Sequence, residues 1–318
     1  MLLMGKLIMK WQQKAKIMKI LSNIPMGWVL YKFLQKKFGH LTSDPMPNIK
    51  KQIEIANWLL QYNIPIEGKT FFEVGTGHNA IVPVGFFLSG AKRVVTGDLY
   101  RRLDYNIMKN GLFYLAKNRH LFKSLYSNIT NSTMLNERLD LLLEHWPTPR
   151  QFFKIANIQY LAPLDVANTT LLDNSIDYHI STNVLEHIPR EVLRNIFIEA
   201  KRILKDKGIA IHFIDMSDQF QHQDNSISRI NFLRFSDNDW ANIAGNQFAY
   251  CNRLRASDYI TLFNELRFDI VKVEKTVDEN SMDKIQDGFK INKKFNSYNL
   301  EDVCTTSLKI MLRKKTSK

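Results

Sequence analysis

The sequence predicts an α/β fold, a mostly parallel sheet flanked by helices, and three observations carry that prediction. Short β-rich runs alternate with helical patterns from residue 70 onward. The first of them closes a strand, tight turn, helix, strand unit within about 30 residues, the size of one βαβ crossover. The chain of 318 residues, 45% of them hydrophobic and 11% aromatic, is long enough to bury one large core.

Composition narrows the function classes. Thirteen glycines and nine prolines are scattered, and no internal repeat is visible, which excludes a fibrous or low-complexity chain. Cys251 and Cys304 lie far apart without metal-ligand spacing, so the expectation is two buried thiols in a reducing cytoplasm. The net charge of +13 is lopsided: residues 1–50 hold nine lysines and one acid, Asp44, a balance of +8, which leaves +5 for the other 268 residues. With no zinc-finger spacing, aromatic RNA-binding signature or arginine-rich tract, a nucleic-acid partner is not expected.

The elements follow in order. The first 40 residues mix Leu, Ile, Met and Trp with lysine at near-helical spacing, and their longest uncharged run, Leu21 to Tyr31, contains Pro25 and Gly27. That is too short to span a bilayer and lacks a cleavage site for a signal peptide. Two readings remain: an interfacial amphipathic helix drawn to anionic lipid, giving peripheral contact at the inner face of a membrane, or a cap whose apolar face packs on the body. Residues 1–46 are therefore taken as a basic helical extension and 47–318 as the main domain. Helices are expected at 47–63, 81–89, 190–205 and 257–265, and two or three more between 104 and 157, interrupted near "WPTPR". Strands are expected at 70–74, 93–98, 157–162, 175–182, 208–215, 268–275 and 303–312, with Gly208 marking the exit of the preceding helix. Residues 216–258 are too long for a simple connection and too aromatic for disorder, so they read as an ordered lid.

The blocks "FFEVGTGHN", "VVTGDLY", "YLAPLDVANTTLLDNSIDYHISTNVLEHIP" and "AKRILKDKGIAIHFID" occur in an order that resembles a class I S-adenosylmethionine-dependent methyltransferase, over roughly residues 68–275. The resemblance implies a Rossmann-like, seven-stranded, mostly parallel sheet with an antiparallel last strand. It implies S-adenosyl-L-methionine as cofactor, with Gly75 and Gly77 under its methionine part and Asp98 holding the ribose hydroxyls. It implies further that Glu73 helps position the ammonium, that Asp165 receives the adenine amino group, and that Asn183 and the "LEH" turn form the lip beside the methionine. Asn79 stands where a dinucleotide fingerprint has its third glycine; a pyrophosphate needs that close approach, whereas S-adenosylmethionine carries no phosphate.

Methyl transfer from a sulfonium is an in-line displacement, and a hydroxyl acceptor gains from a general base. "HFIDMSDQFQHQD" supplies His212, Asp215, Asp218, His222 and Asp224 at the sheet's carboxyl edge, where open α/β folds place ligands. His222 is the expected base, oriented by Asp218 or Asp224, while His212 reads as a core residue. Carboxylates with a histidine also suit a cation, though no metal site is assigned. Arg234, Arg253 and Arg255 beside lid aromatics either grip an anionic or sugar-like acceptor or fix the lid to the core. The expectation is O-methylation of a small-molecule or glycan-type acceptor; the alternative is a noncatalytic protein of the same fold that docks to a membrane or partner through its basic N-terminus.

Overall fold

The computed structural model describes residues 9–37, 41, 43–144 and 148–315; the first eight residues of the leader, and Trp146 and Pro147 of the "WPTPR" break, lie outside them. Helices α1 (Trp11–Ser22) and α2 (Gly27–Lys37) come first, and α3 (Met46–Gln61) leads to the sheet. Pro47 sits in the first turn of α3, where its missing N–H leaves no helical bond unmade.

One sheet holds seven strands, β1 (Thr70–Val74), β2 (Arg93–Gly97), β3 (Ile158–Leu161), β4 (Ile176–Thr182), β5 (Leu204–Asp215), β6 (Phe268–Val277) and β7 (Thr305–Lys314), in the order β3-β2-β1-β4-β5-β7-β6. The pairings from β3 through β5 are parallel, and β7 enters between β5 and β6 antiparallel to both. β1 is buried on both faces, as a central parallel strand must be: Phe71 joins one apolar cluster and Phe72 the other. The first cluster gathers α3, α4 (Ile81–Leu88) and the four helices between β2 and β3; the second gathers α9 (Arg190–Ile203) and α11 (Ala256–Glu265).

Three local expectations are corrected. Between 104 and 157 there are four helices, α5 (Tyr105–Lys117), α6 (Arg119–Tyr126), α7 (Ser132–Glu144) and α8 (Pro149–Ile155), because Asn118 leaves helical geometry and ends one helix while starting the next. Gly208 does not mark the helix exit. α9 stops at Ile203 and the chain runs straight into β5, whose register against β4 jumps from Ile176↔Leu204 to Tyr178↔Ile209, so "KDKG" is an irregularity inside the strand. The segment between β6 and β7 carries α12 (Glu279–Gln286) and α13 (Leu300–Cys304), for which no element was expected.

Residues 216–258 are ordered, with a tight turn at Asn231–Arg234 and α10 (Asp237–Ala244). Their apolar side chains Phe220, Phe232, Leu233 and Trp240 form a third cluster with Ala15 and Met18 of α1 and with Phe295, Val303 and Cys304 from the β6–β7 segment. The lid is thus joined by the β6–β7 segment, and α1 packs on it. Cys251 and Cys304 are buried and unbridged. No helix among the described residues is long and apolar enough to cross a membrane.

Candidate active site

The turn after β1 forms the first wall. Gly75 has φ +88°, and a Cβ there would fall 2.4 Å from Val184 Cγ2, so only glycine lets this turn pack against the exit of β4. At Gly77, with φ +66°, a Cβ would meet nothing within 4 Å; the backbone faces open space. Asn79 is where helix α4 begins: its Oδ1 accepts from the Ile81 N–H at 3.2 Å and from Asn48 Nδ2 at 3.1 Å.

Two acids flank this turn. Asp98, just past β2, accepts from the Gly77 N–H at 2.9 Å. Glu73 is buried, and Thr96 Oγ1 donates to its Oε2 at 2.5 Å. The Thr96 and Thr76 hydroxyls meet at 2.5 Å, and Thr76 hydrogen-bonds Asp98, so hydroxyls link the two carboxyls. Burial raises Glu73 to about 8, against the Thr96 hydrogen bond, and raises Asp98 to about 6, against the Gly77 amide. Beyond β3, Leu164 N–H donates to Asp98 O at 2.8 Å, which brings the following loop alongside. Asp165 on that loop is exposed and accepts from the Ala167 N–H at 2.9 Å.

The exits of β4 and β5 form the second wall. Asn183 turns the chain with φ +56°, a conformation asparagine tolerates, and its N–H donates to Phe213 O. The 3-10 turn Leu185–His187 follows and is clamped from the lid: Asn252 Nδ2 donates to Leu185 O and Ile188 O, and His187 Nδ1 meets Tyr250 O at 2.9 Å. Glu186 lies fully buried in this turn. Neither carboxyl oxygen has a hydrogen-bond partner of good geometry, although the Glu186 and Asp215 amides lie near enough to soften the effect of burial, which holds the group well above the usual carboxylate range. Lys51 of α3 bears on Glu186 and Asp215, and burial lowers its own pKa.

His222 pairs here with Asp215 and Ser217. Its Nε2 lies 3.0 Å from Ser217 Oγ and 3.3 Å from Asp215 Oδ2, and Ser217 Oγ donates to Asp215 Oδ1 at 2.6 Å. Since the serine proton goes to Asp215, its oxygen accepts from His222 Nε2–H, which leaves the lone pair on Nδ1. The His222 side chain is 47% exposed.

Asp218 and Asp224 have other partners. Asp218 is completely buried, accepts from the Phe220 N–H and from Asn231 Nδ2, and is raised to about 6 by burial, with Lys14 of α1 opposing. Asp224 accepts from the Trp11 N–H at 2.9 Å and from Ser226, so it anchors α1 to the lid. His212 lies in the core, Nδ1 to Ser181 Oγ at 2.8 Å, stacked edge-on with His179; burial holds both imidazoles below the usual range. The question of the lid arginines is also answered. Arg255 is fully buried and donates to the backbone carbonyls of Asp302, Met216 and Thr305, while Arg253 donates to those of Phe232 and Phe235, pairs with Asp237 and lies over Trp240. Both fix the lid. Arg234 is exposed, its guanidinium over the Phe289 ring.

Residues 150–212, which run from α8 through the "LEH" turn into β5, match the family model of the methyltransferase domain. Over that segment, about a fifth of its length, the chain matches a methyltransferase domain. The reversed β7 between β5 and β6 is the antiparallel last strand that the resemblance implied. Comparison with curated proteins gives no match. Solved structures similar in fold include a SAM-dependent methyltransferase from Methanosarcina mazei (10% identity, 81% of this chain and 98% of that one, TM-score 0.45). They also include geranyl diphosphate methyltransferase in complex with SAM (10%, 83% and 85%, 0.44). A third is magnesium protoporphyrin IX methyltransferase from Synechocystis PCC 6803 with bound SAH (10%, 84% and 83%, 0.44).

A domain of this kind takes S-adenosylmethionine as its methyl donor, and the residues here fit that molecule. Asp98 is a half-buried carboxylate able to accept from two neighbouring hydroxyls. Gly77 offers backbone with space before it, and Glu73 and Glu186 are buried acids that a cationic ligand would draw toward ionisation. Ser217, Lys51 and the Thr76–Thr96 pair were not assigned from sequence; Asp215 was named in the carboxyl-edge cluster, as an acid at a strand's carboxyl end, but not as the partner of His222.

Proposed function

We propose that this methyltransferase domain methylates a hydroxyl group of a small-molecule or glycan-type acceptor, with His222 as general base. The observation that carries the reading is the Asp215–Ser217–His222 arrangement at the carboxyl edge. When bound, S-adenosylmethionine supplies an electrophilic methyl carbon on a sulfonium leaving group; Asp98, Gly75, Gly77, Glu73, Asp165 and Asn183 are the residues to hold it. His222 Nδ1 takes the hydroxyl proton as the acceptor oxygen bonds to carbon. Asp215, through Ser217 and directly, stabilises the imidazolium that results. Lid residues 216–258 exclude water and select the acceptor.

The test is methyl transfer from labelled donor to panels of hydroxyl-bearing and amine-bearing acceptors, alongside calorimetric titration with S-adenosylmethionine. His222→Ala is expected to lower turnover about 10²- to 10⁴-fold with cofactor affinity unchanged. Normal turnover in that variant, or transfer to amines alone, overturns the assignment of base and acceptor.

A further inference from the structure

The helical hairpin α1–α2 carries an apolar face that no described part of the chain covers. Ile20, Ile24, Met26, Trp28, Val29, Leu30 and Phe33 are all exposed, from 39% for Val29 to 71% for Met26. They are seven of the seventeen exposed large hydrophobic residues among those described, gathered in fourteen consecutive positions. An unbroken lysine bias surrounds them: residues 9–37 hold seven lysines and no acid. Lys16 and Lys37 are exposed there, as is Lys19, whose ammonium also donates to Asn242 O at 2.9 Å, whereas Lys32 and Lys36 pair with Asp104 at 3.0 and 2.6 Å.

We propose that this hairpin docks the enzyme on an anionic bilayer surface, with Trp28 and Phe33 seated at the headgroup boundary and lysines on lipid phosphates. Three considerations select that occupant. Aliphatic, aromatic and methionine side chains together seek hydrocarbon, which a nucleic acid does not offer. A second copy of the chain would bring one uncompensated lysine cluster against another. A bilayer bearing anionic lipid offers both the apolar interior and the opposite charge, at about 1 kcal/mol per basic residue near the surface.

The hairpin is also braced against the lid and against the first wall of the active site. Tyr31 stacks on Phe248 of the lid, with ring centroids 4.5 Å apart. Asp104, which holds Lys32 and Lys36, caps α5 through the Asn106 and Ile107 amides and donates its own N–H to His78 O in the turn after β1. Leu99 and Tyr100, both exposed, precede Arg101 and Arg102 on the same loop. Docking through α2 therefore sets the mouth of the cleft against the lipid surface.

The experiment is cosedimentation of the full-length protein with vesicles of phosphatidylcholine alone and of phosphatidylcholine containing about 30% phosphatidylglycerol. Binding is expected only to the anionic vesicles and should weaken with added salt. The double variant Trp28→Ser, Phe33→Ser and the triple variant Lys16→Glu, Lys19→Glu, Lys37→Glu should each bind about tenfold more weakly or worse. Cofactor titration of the same samples, unchanged, shows that the fold and the methyl-donor site are intact, so loss of docking is separable from failure of the methyltransferase reading. No binding to anionic vesicles, or binding that both variants retain, overturns the proposal. A concentration-dependent dimer abolished by Trp28→Ser would assign the face to a second copy instead.

Discussion

Asp98 shows how burial sets a binding condition at the residue scale. Desolvation raises its pKa to about 6 even though the Gly77 amide and Thr76 oppose the shift. An acid raised in this way binds its proton more tightly folded than unfolded. Its contribution to stability is present below the unfolded value of about 4 and is lost as pH rises through about 6. In the proposed cofactor site two ribose hydroxyls need the ionised form of Asp98 as acceptor, so affinity for S-adenosylmethionine has the opposite dependence. Calorimetric titration should find it falling toward tenfold per unit below about 6, as Asp98 takes up its proton. Asp98→Asn should weaken binding about 10- to 100-fold, the worth of a charge-assisted hydrogen bond, and flatten that pH dependence. Wild-type-like affinity in Asp98→Asn would remove Asp98 from the cofactor site. Glu73, raised to about 8, shares the sign of the stability effect.

At the scale of elements, what was legible in the sequence is what is local. The β1 run, the glycine turn and α4 lie within about twenty residues, and their periodicity and glycine placement are carried by the backbone itself. The "LEH" turn was legible for the same reason. The partner of His222 was not: Asp218 and Asp224 stand closer in sequence, yet the path of β5 brings Asp215 to the ring and buries the other two under α1. Lid arginines posed a problem that residue type cannot resolve, since a guanidinium serves a ligand or a backbone carbonyl equally well. Burial decides it for Arg255, which joins the start of α11 to the carbonyls of Asp302 and Thr305 beside β7. Arg255→Met should therefore strand buried carbonyl oxygens and cost about 3 kcal/mol or more, seen as a melting temperature lower by roughly 5–10 °C. A variant melting like the wild type would show that water replaces those bonds. α12 and α13 escaped the sequence because they are short, eight and five residues, and their apolar residues are organised by the lid cluster, far away in the chain.

At the scale of the whole molecule, the third cluster makes distant segments act as one unit. α1, residues 216–258 and the β6–β7 segment share apolar contacts, and Asp224 ties the first of these to the second through the Trp11 N–H, across 213 positions of sequence. Trp11 adds ring contacts with Phe220 and Phe235, both at 5.8 Å. The sheet and its two main clusters do not depend on these bonds, so opening of the lid should be separable from global unfolding. Asp224→Ala tests this. Losing acceptors for the Trp11 amide and for Ser226 should cost about 1–3 kcal/mol. In hydrogen exchange the expected outcome is faster exchange in α1 and in residues 217–251, with β1, β4 and β5 unchanged. Acceptor turnover should change only as far as the lid admits water, while affinity for S-adenosylmethionine, assigned in the proposed site to Asp98 at the other wall, should stay the same. If turnover collapses while exchange in α1 and the lid matches the wild type, Asp224 acts on the reacting groups and the anchoring account fails. If exchange rises through the sheet as well, the lid and the sheet are one cooperative unit, and the lid could not open by itself to admit an acceptor.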